Sequence, residues 1–254
     1  MSRLHTKHRI HLLAFSALCL AALGSTIYIA IGQTPNASPP ASSTPGSPTS
    51  GEIVQQLVEH NQQRADQLKS YTDERHYTVT YHGFLATLTA SMVVDATYDA
   101  PSTKRFRILS QTGSKLLVNR VLRKLLDSEQ EAAQYSGRTA LTPANYAFTL
   151  LGQQAVMGRR CYVFRVEPKV NSKFLYRGKI YVDAEDYAVT QIDAEPAKSP
   201  SFWIKGTHIH HVYAKTGQFW LPERDRSESV LRLGGTAVLT IEYGAYRIQS
   251  AAAH

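Results

Sequence analysis

The stretch FLYRGKIYVDAEDYAVTQI, residues Phe174–Ile192, decides the fold class. Lys179-Ile180-Tyr181-Val182-Asp183 alternates polar-leaning and apolar side chains, the period of a strand with one buried face. Ala184-Glu185-Asp186 is a short polar break. Tyr187–Ile192 then resumes with Val189 and Thr190, β-branched types that suit a pleated, half-buried surface. Strand, tight turn and strand is the simplest reading. The segments on either side repeat it. After Pro143, strands are expected over Tyr146–Leu150, Arg160–Glu167, Phe174–Asp183, Tyr187–Asp193, Trp203–Tyr213, Phe219–Leu231 and Gly235–Tyr246, separated by breaks that hold Gly152, Gly158, Pro168, Pro196, Pro200 and Gly217.

Toward the N-terminus the period changes twice. Gly51–Lys69 carries Ile53, Val54, Leu57, Val58, Ala65 and Leu68 at spacings of three and four, which predicts an amphipathic helix with Ser50 or Gly51 as its cap. Three strands follow. The first alternates around Tyr77, Val79 and Tyr81, and Lys104–Leu109 makes the third. The second is the cleanest in the chain, with Leu88, Ala90, Met92, Val94, Ala96 and Tyr98 on one face. Ser114–Gln134 returns to the helical period, its stripe formed by Leu117, Val118, Val121, Leu122, Leu125 and Leu126, with an end expected near Gly137. About ten antiparallel strands and two helices bury most apolar area if the sheet curls and the helices cover its open face. The expected fold is therefore α+β, a curved antiparallel sheet forming an incomplete β-barrel with a helical lid.

Residues 1–32 read as a secretion signal or N-terminal membrane anchor, because Leu12–Ile31 is an uncharged stretch behind Arg3, Lys7 and Arg9. The basic end stays cytoplasmic, which places the body outside the inner membrane, in the periplasm. A Pro/Ser/Thr-rich linker over 33–50 and a short tail over 249–254 are expected to be disordered, bracketing a folded domain over 51–248. Without the three leader cations, 25 Lys+Arg face 20 Asp+Glu, a net charge of +5 that suits an anionic membrane surface or ligand. No Lys/Arg run interleaved with aromatics occurs, which argues against nucleic acid.

The chemistry-bearing candidates are few. His208, His210 and His211 invite a metal reading, but spacing fixes no Asp, Glu or Cys partner, so no metal site is assigned. Asp183, Glu185 and Asp186 occupy a hairpin turn, where such residues are favoured without catalytic purpose. Cys161 is the one cysteine outside the leader and sits in a strand-like run, as an inert buried thiol does. No nucleophile elbow, P-loop, dinucleotide fingerprint or H-E-x-x-H is present. The sequence therefore implies neither an enzyme nor a cofactor. Trp203 and Trp220 each follow a phenylalanine and suit either core packing or the mouth of an apolar pocket.

The element order, the helix RVLRKLLDSEQEAAQ (Arg120–Gln134) and several short runs carry a resemblance. These runs are Asn145-Tyr146-Ala147-Phe148, Gly158-Arg159-Arg160-Cys161-Tyr162-Val163, Gly178-Lys179-Ile180-Tyr181-Val182-Asp183 and Phe219-Trp220-Leu221-Pro222. Over roughly residues 52–248 the chain resembles the LolA/LolB-like group of outer-membrane lipoprotein-sorting proteins. The resemblance implies an incomplete barrel, helices as a lid, and a hydrophobic cavity that takes the acyl chains of lipids or lipoproteins. It also implies an arginine that holds the lid, which no motif here singles out. On that basis Leu88, Ala90, Met92, Val94, Leu239 and Ile241 are expected to face acyl chains, Leu117, Val121 and Leu125 to close over them, and Trp203 and Trp220 to line the mouth. The rival expectations are an envelope sensor or scaffold that binds a protein partner, and a hydrolase, which the missing nucleophile–base set opposes.

Overall fold

A computed structural model describes residues 48–134, 139–199 and 201–251 of the chain. The leader, most of the linker and the end of the second helix near Gly137 lie outside the described residues. The elements run α1 (Ser50–Gln67), β1 (Leu68–His82), β2 (Thr87–Asp99), β3 (Thr103–Gly113), α2 (Lys115–Leu117), a π-helical turn (Val118–Leu122), α3 (Arg123–Gln134), β4 (Tyr146–Val156), β5 (Arg159–Pro168), β6 (Tyr176–Asp183), β7 (Val189–Pro196), β8 (Ile204–Thr216), β9 (Phe219–Leu231), β10 (Thr236–Tyr243) and β11 (Arg247–Ser250). The strands form one antiparallel sheet in the order β3-β2-β1-β10-β9-β8-β7-β6-β5-β4, with β11 paired beside the start of β1. Its edges, β3 and β4, do not pair with each other, so the barrel is incomplete. Among the described residues no helix is long and apolar enough to cross a membrane.

Each helix covers its own part of the sheet. α1 lays Ile53, Val54 and Leu57 against a cluster that includes Phe164, Val166, Ile180 and Ile192 from β5–β7 and Leu175 just before β6. The stripe of α2, the π turn and α3 packs on Tyr77, Val79, Ala90, Met92, Val94 and Ile241 from β1, β2 and β10. Full burial of one such side chain contributes roughly 1.5–3 kcal/mol before ordering costs. The helices are thus held mainly by these stripes. The π turn lets the stripe shift phase between α2 and α3 while Leu117, Val118, Val121, Leu122 and Leu125 all stay buried.

Several boundaries differ from the sequence expectation. The cap of α1 is Thr49, one residue earlier than expected, and it forms a capping box with Glu52, whose carboxylate accepts from the Thr49 amide at 2.7 Å. The chain turns into β1 at Leu68, ending α1 two residues early. Pairing continues to Ser250 because β11 covers the start of β1, so Gln249 and Ser250 belong to the sheet and not to a tail. In the Phe174–Ile192 hairpin, β7 starts at Val189. Tyr187 takes a positive φ of 46° inside the turn and cannot join the ladder. Ile180–Asp183 is buried without alternation. Ile180 and Val182 face α1, while Tyr181 packs on the other side with Val156, Cys161 and Val163.

Gly113 sets the crossing from the edge strand β3 onto the covered face. Its φ is +83°, and a Cβ there would meet Thr89 O at 2.3 Å. The next amide, Ser114 N, donates to that same carbonyl at 2.9 Å. Gly113→Ala is expected to cost about 2–3 kcal/mol, from positive-φ strain plus the displaced backbone. Urea denaturation measures this, and a loss below about 0.5 kcal/mol would show that the turn has other solutions.

Candidate functional site

The covered inner face of β1, β2 and β10 is the candidate site. It is built by simple alternation. Tyr77, Val79 and Tyr81 point the same way on β1, opposite Met92, Ala90 and Leu88 on β2, with Ile241 and Leu239 on β10 opposite Tyr77 and Val79. The structure brings nine of the eleven expected ligand-contacting residues together. Ala90, Met92, Val94, Leu117, Val121, Leu125 and Ile241 are buried in one cluster, with Leu88 and Leu239 partly buried against it. The side chains of the helical stripe occupy the hollow over this part of the sheet.

The two tryptophans lie elsewhere. Trp220 is buried in the α1 cluster, its indole N–H donating to Asp186 Oδ2 at 3.1 Å beneath the Arg159 guanidinium. Trp203 is half-buried at the start of β8, its ring against Phe202.

Continued toward the start of β1, the same inward alternation becomes charged: Tyr77, Arg75, Asp73. Arg75 is 1% exposed. Its Nε and Nη2 grip the Asp73 carboxylate at 2.7 and 3.2 Å, and Nη1 donates to Glu129 Oε2 on α3 at 2.9 Å. Tyr77 OH donates to the other Glu129 oxygen at 3.0 Å. The guanidinium lies 4.8 Å from the ring centre of Tyr243 and 5.6 Å from that of Phe106. Tyr243 OH in turn donates to Asp225 at 2.6 Å, and the other Asp225 oxygen accepts from His211 Nδ1. A buried polar seam therefore crosses β8, β9, β10 and β1 and ends on the covering helix. Burial raises the Glu129 pKa, with the Arg75 and Lys104 charges and the Tyr77 bond opposing it. Burial first, then the Glu129 charge, pushes the Tyr77 hydroxyl well above its ordinary value, which keeps it a neutral donor.

α1 has a separate clasp. Arg64 donates to the backbone carbonyls of Asp186 and Tyr187 at 2.9 and 3.1 Å. That turn is braced by Arg159, which binds Asp183 at 2.5 and 2.9 Å, and by the Glu185 and Asp186 amides donating to Asp183 Oδ1. The expected turn carboxylates thus serve as a structural brace. His210 binds Asp193, His211 binds Asp225 and His208 is exposed, so the three histidines point to different surroundings. Among the described residues no group of three or more His, Cys, Asp or Glu is placed to hold a metal ion. Burial pushes the Cys161 thiol pKa up, which disfavours the thiolate.

On the opposite face of β1–β3 lies a polar cleft of about 760 Å³, lined by residues such as Thr72, Glu74, Asp95, Thr97, Arg105 and Arg107. Arg105 is paired with Asp99 and Arg107 with Asp95. Its polar lining is unsuited to an acyl chain.

No family profile matches the sequence, and no curated protein matches it. The chain is similar in structure to a DUF1329 family protein from Desulfovibrio piger, at 14% identity and a TM-score of 0.43 over 78% of this chain and 92% of that one. It is also similar to an outer membrane lipoprotein-sorting protein domain from Vibrio parahaemolyticus (9% identity, TM-score 0.44, 77% and 92% covered). A LolA superfamily protein from Nitrosomonas europaea is a third (13% identity, TM-score 0.38, 81% and 96% covered). The second and third carry the name of the group that the sequence motifs resemble. Likenesses this distant carry nothing about ligand or mechanism.

The seam and the brace predict different responses. Arg75→Met strands two buried carboxylates and is expected to cost about 3–5 kcal/mol in urea denaturation. A cost under 1 kcal/mol would remove Arg75 from its place as anchor. Burial of Asp183 works to raise its pKa, but the Arg159 bond and the two turn amides outweigh it and leave the value lowered. Stability from that carboxylate is complete above its ordinary value of 3.8 and is lost as pH falls through the lower folded value. Glu129 has the opposite sign, since the stability linked to a raised carboxyl fades as pH rises. Asp183→Asn should therefore flatten the acid limb of a stability–pH curve, whereas Glu129→Gln should leave that limb in place.

Proposed function

We propose that this chain is a periplasmic binding protein, without catalytic activity, that shields the acyl chains of a lipid or lipoprotein and serves their sorting toward the outer membrane. The observation that supports this is the inner face of β1, β2 and β10: apolar, left open by a sheet that does not close, and covered by a helix instead of by another strand. In this reading Leu88, Ala90, Met92, Val94, Leu239 and Ile241 contact the acyl chain, and Leu117, Val121 and Leu125 move aside to admit it. An acyl chain takes over the apolar contacts that helix and sheet make with each other, at about 0.8 kcal/mol per buried methylene. The exchange needs no new polar group to be buried.

The Arg75–Glu129–Tyr77 contact is the latch. It fixes the helix to β1 by a directional ion pair, while the apolar stripe beside it is indifferent to small sliding movements. Weakening the latch should speed entry and exit more than it changes the apolar contacts.

Native protein isolated from its envelope is expected to carry lipid by intact mass spectrometry and to take up a fluorescent fatty acid. A protein that does neither sinks the proposal. Glu129→Gln is expected to keep uptake and release the probe about tenfold faster in stopped-flow displacement, the effect of losing about 1.4 kcal/mol from one charge-assisted bond. Unchanged release would separate the latch from ligand exchange.

A further inference from the structure

We propose that one end of the sheet is a docking surface for an anionic lipid bilayer, with the tips of the β1–β2 and β9–β10 hairpins and the segment before β8 entering the membrane interface. The strand registers place these three segments at the same end. His82 lies opposite Thr236, Thr236 opposite Val230, and Leu231 opposite Ile204. They are also tied together. Gly83 N donates to Ala86 O at 3.0 Å and closes the first tip, and Tyr81 OH reaches Gly234 O on the second at 3.3 Å. Gly235, at φ +89°, sits so close that a Cβ would meet His82 O at 2.4 Å. Arg232 N donates to Trp203 O at 2.8 Å, and its Nε donates to Phe202 O at 2.6 Å. The three segments therefore form one rim.

This rim places large apolar side chains in water. Phe84 is 98% exposed, Leu85 92%, and Phe202 and Leu233 74% each. They hold no part of the core, and a soluble surface gains nothing from grouping them. Charge selects the occupant. Lys205 and Arg232 are exposed within the rim, the Arg232 guanidinium lying 5.3 Å from the Phe202 ring centre, and Lys115 is exposed at the start of α2 beside it. Glu228, two residues before Val230, is ion-paired with Arg226. At the opposite end of the sheet the turn carboxylates Glu185 and Asp186 are themselves ion-paired, with Arg159 and Lys215. Aromatic and aliphatic tips ringed by Lys and Arg match the interface of a bilayer with anionic headgroups: the rings enter the acyl boundary while the cations remain at headgroup level.

This proposal does not rest on the acyl-carrier reading, and the tryptophans give a readout for it. Trp203 adjoins the rim, whereas Trp220 starts β9 at the far end. The full chain is mixed with phosphatidylcholine vesicles, with or without phosphatidylglycerol, that contain acyl-brominated lipid. Emission is compared between Trp203→Phe and Trp220→Phe. Leader insertion alone does not set the result, because both tryptophans are read in the same body and the rim variants carry the same leader. Trp203 is expected to be quenched several-fold more than Trp220, and more strongly with phosphatidylglycerol present. Phe84→Ser with Leu85→Ser should lower Trp203 quenching about tenfold, and Lys205→Glu with Arg232→Glu should remove the phosphatidylglycerol preference. Equal quenching of both tryptophans, or quenching untouched by these variants, overturns the proposal. So does a rim that cross-links to an envelope protein while Trp203 stays unquenched. Fatty-acid uptake is measured on the same variants. Retained uptake with lost quenching assigns the effect to the rim, and absent uptake with intact quenching leaves the rim standing while the carrier reading fails.

Discussion

A guanidinium enclosed in protein must have its charge and its donors matched, or the enclosure does not form. Arg75 imposes that demand at the centre of this molecule. Asp73 answers from the same strand, Glu129 from the covering helix, and the rings of Tyr243 and Phe106 from β10 and β3. Four elements distant in sequence must therefore meet at one point in one register. The apolar stripes on either side supply most of the attraction, but greasy surfaces tolerate sliding. The ion pair does not. It turns a helix resting on a sheet into a helix in one position.

The same division of labour recurs at α1. Ile53, Val54 and Leu57 supply its apolar contact, and Arg64 fixes its far end by gripping two carbonyls of the β6–β7 turn. That turn is itself held by Asp183 and Arg159. Both covers of the open sheet are thus non-specific in their area and specific at one cation. For a fold whose proposed work requires a cover to move, this matters. The apolar contacts can be replaced by a guest of similar character, and the polar contact decides when.

Much of this was legible in the residues. Period-two runs located nearly every strand, and the stripe from Leu117 to Leu126 located the covering helix. The nine residues named for the sheet face and the helix do share one cluster, because alternation on β2 and β10 and helical spacing in the second helix fix which side chains share a face. They pack on one another there, and their contact with an acyl chain is the proposal. The seam was half legible. Stepping back by two from Tyr81, Val79 and Tyr77 gives Arg75, Asp73 and Tyr71, so continuing the alternation to the start of β1 would have flagged a charged pair on the inner face. The expected helix over Gly51–Lys69 and an alternation centred on Tyr77, Val79 and Tyr81 leave the first part of β1, from Leu68 to Arg75, outside the expected strand. Nothing in the spacing pointed to Glu129, since a glutamate on a helix beside Gln130 and Asp127 looks like part of a solvated face.

The sequence by itself determined the periodicities: which segments are strands or helices, which side of each is apolar, and that the strands outnumber what the helices can fully cover. Those follow from local geometry, where a side chain's direction depends on its neighbours in the chain. Only the tertiary structure decided that Trp220 belongs under α1 and Trp203 at a rim, that Glu129 meets Arg75, and that Phe84, Leu85, Phe202 and Leu233 stand at one end of the sheet. These are matters of strand order and hairpin register. Pairing energies between strands depend on partners far away in sequence, so no window along the chain contains them.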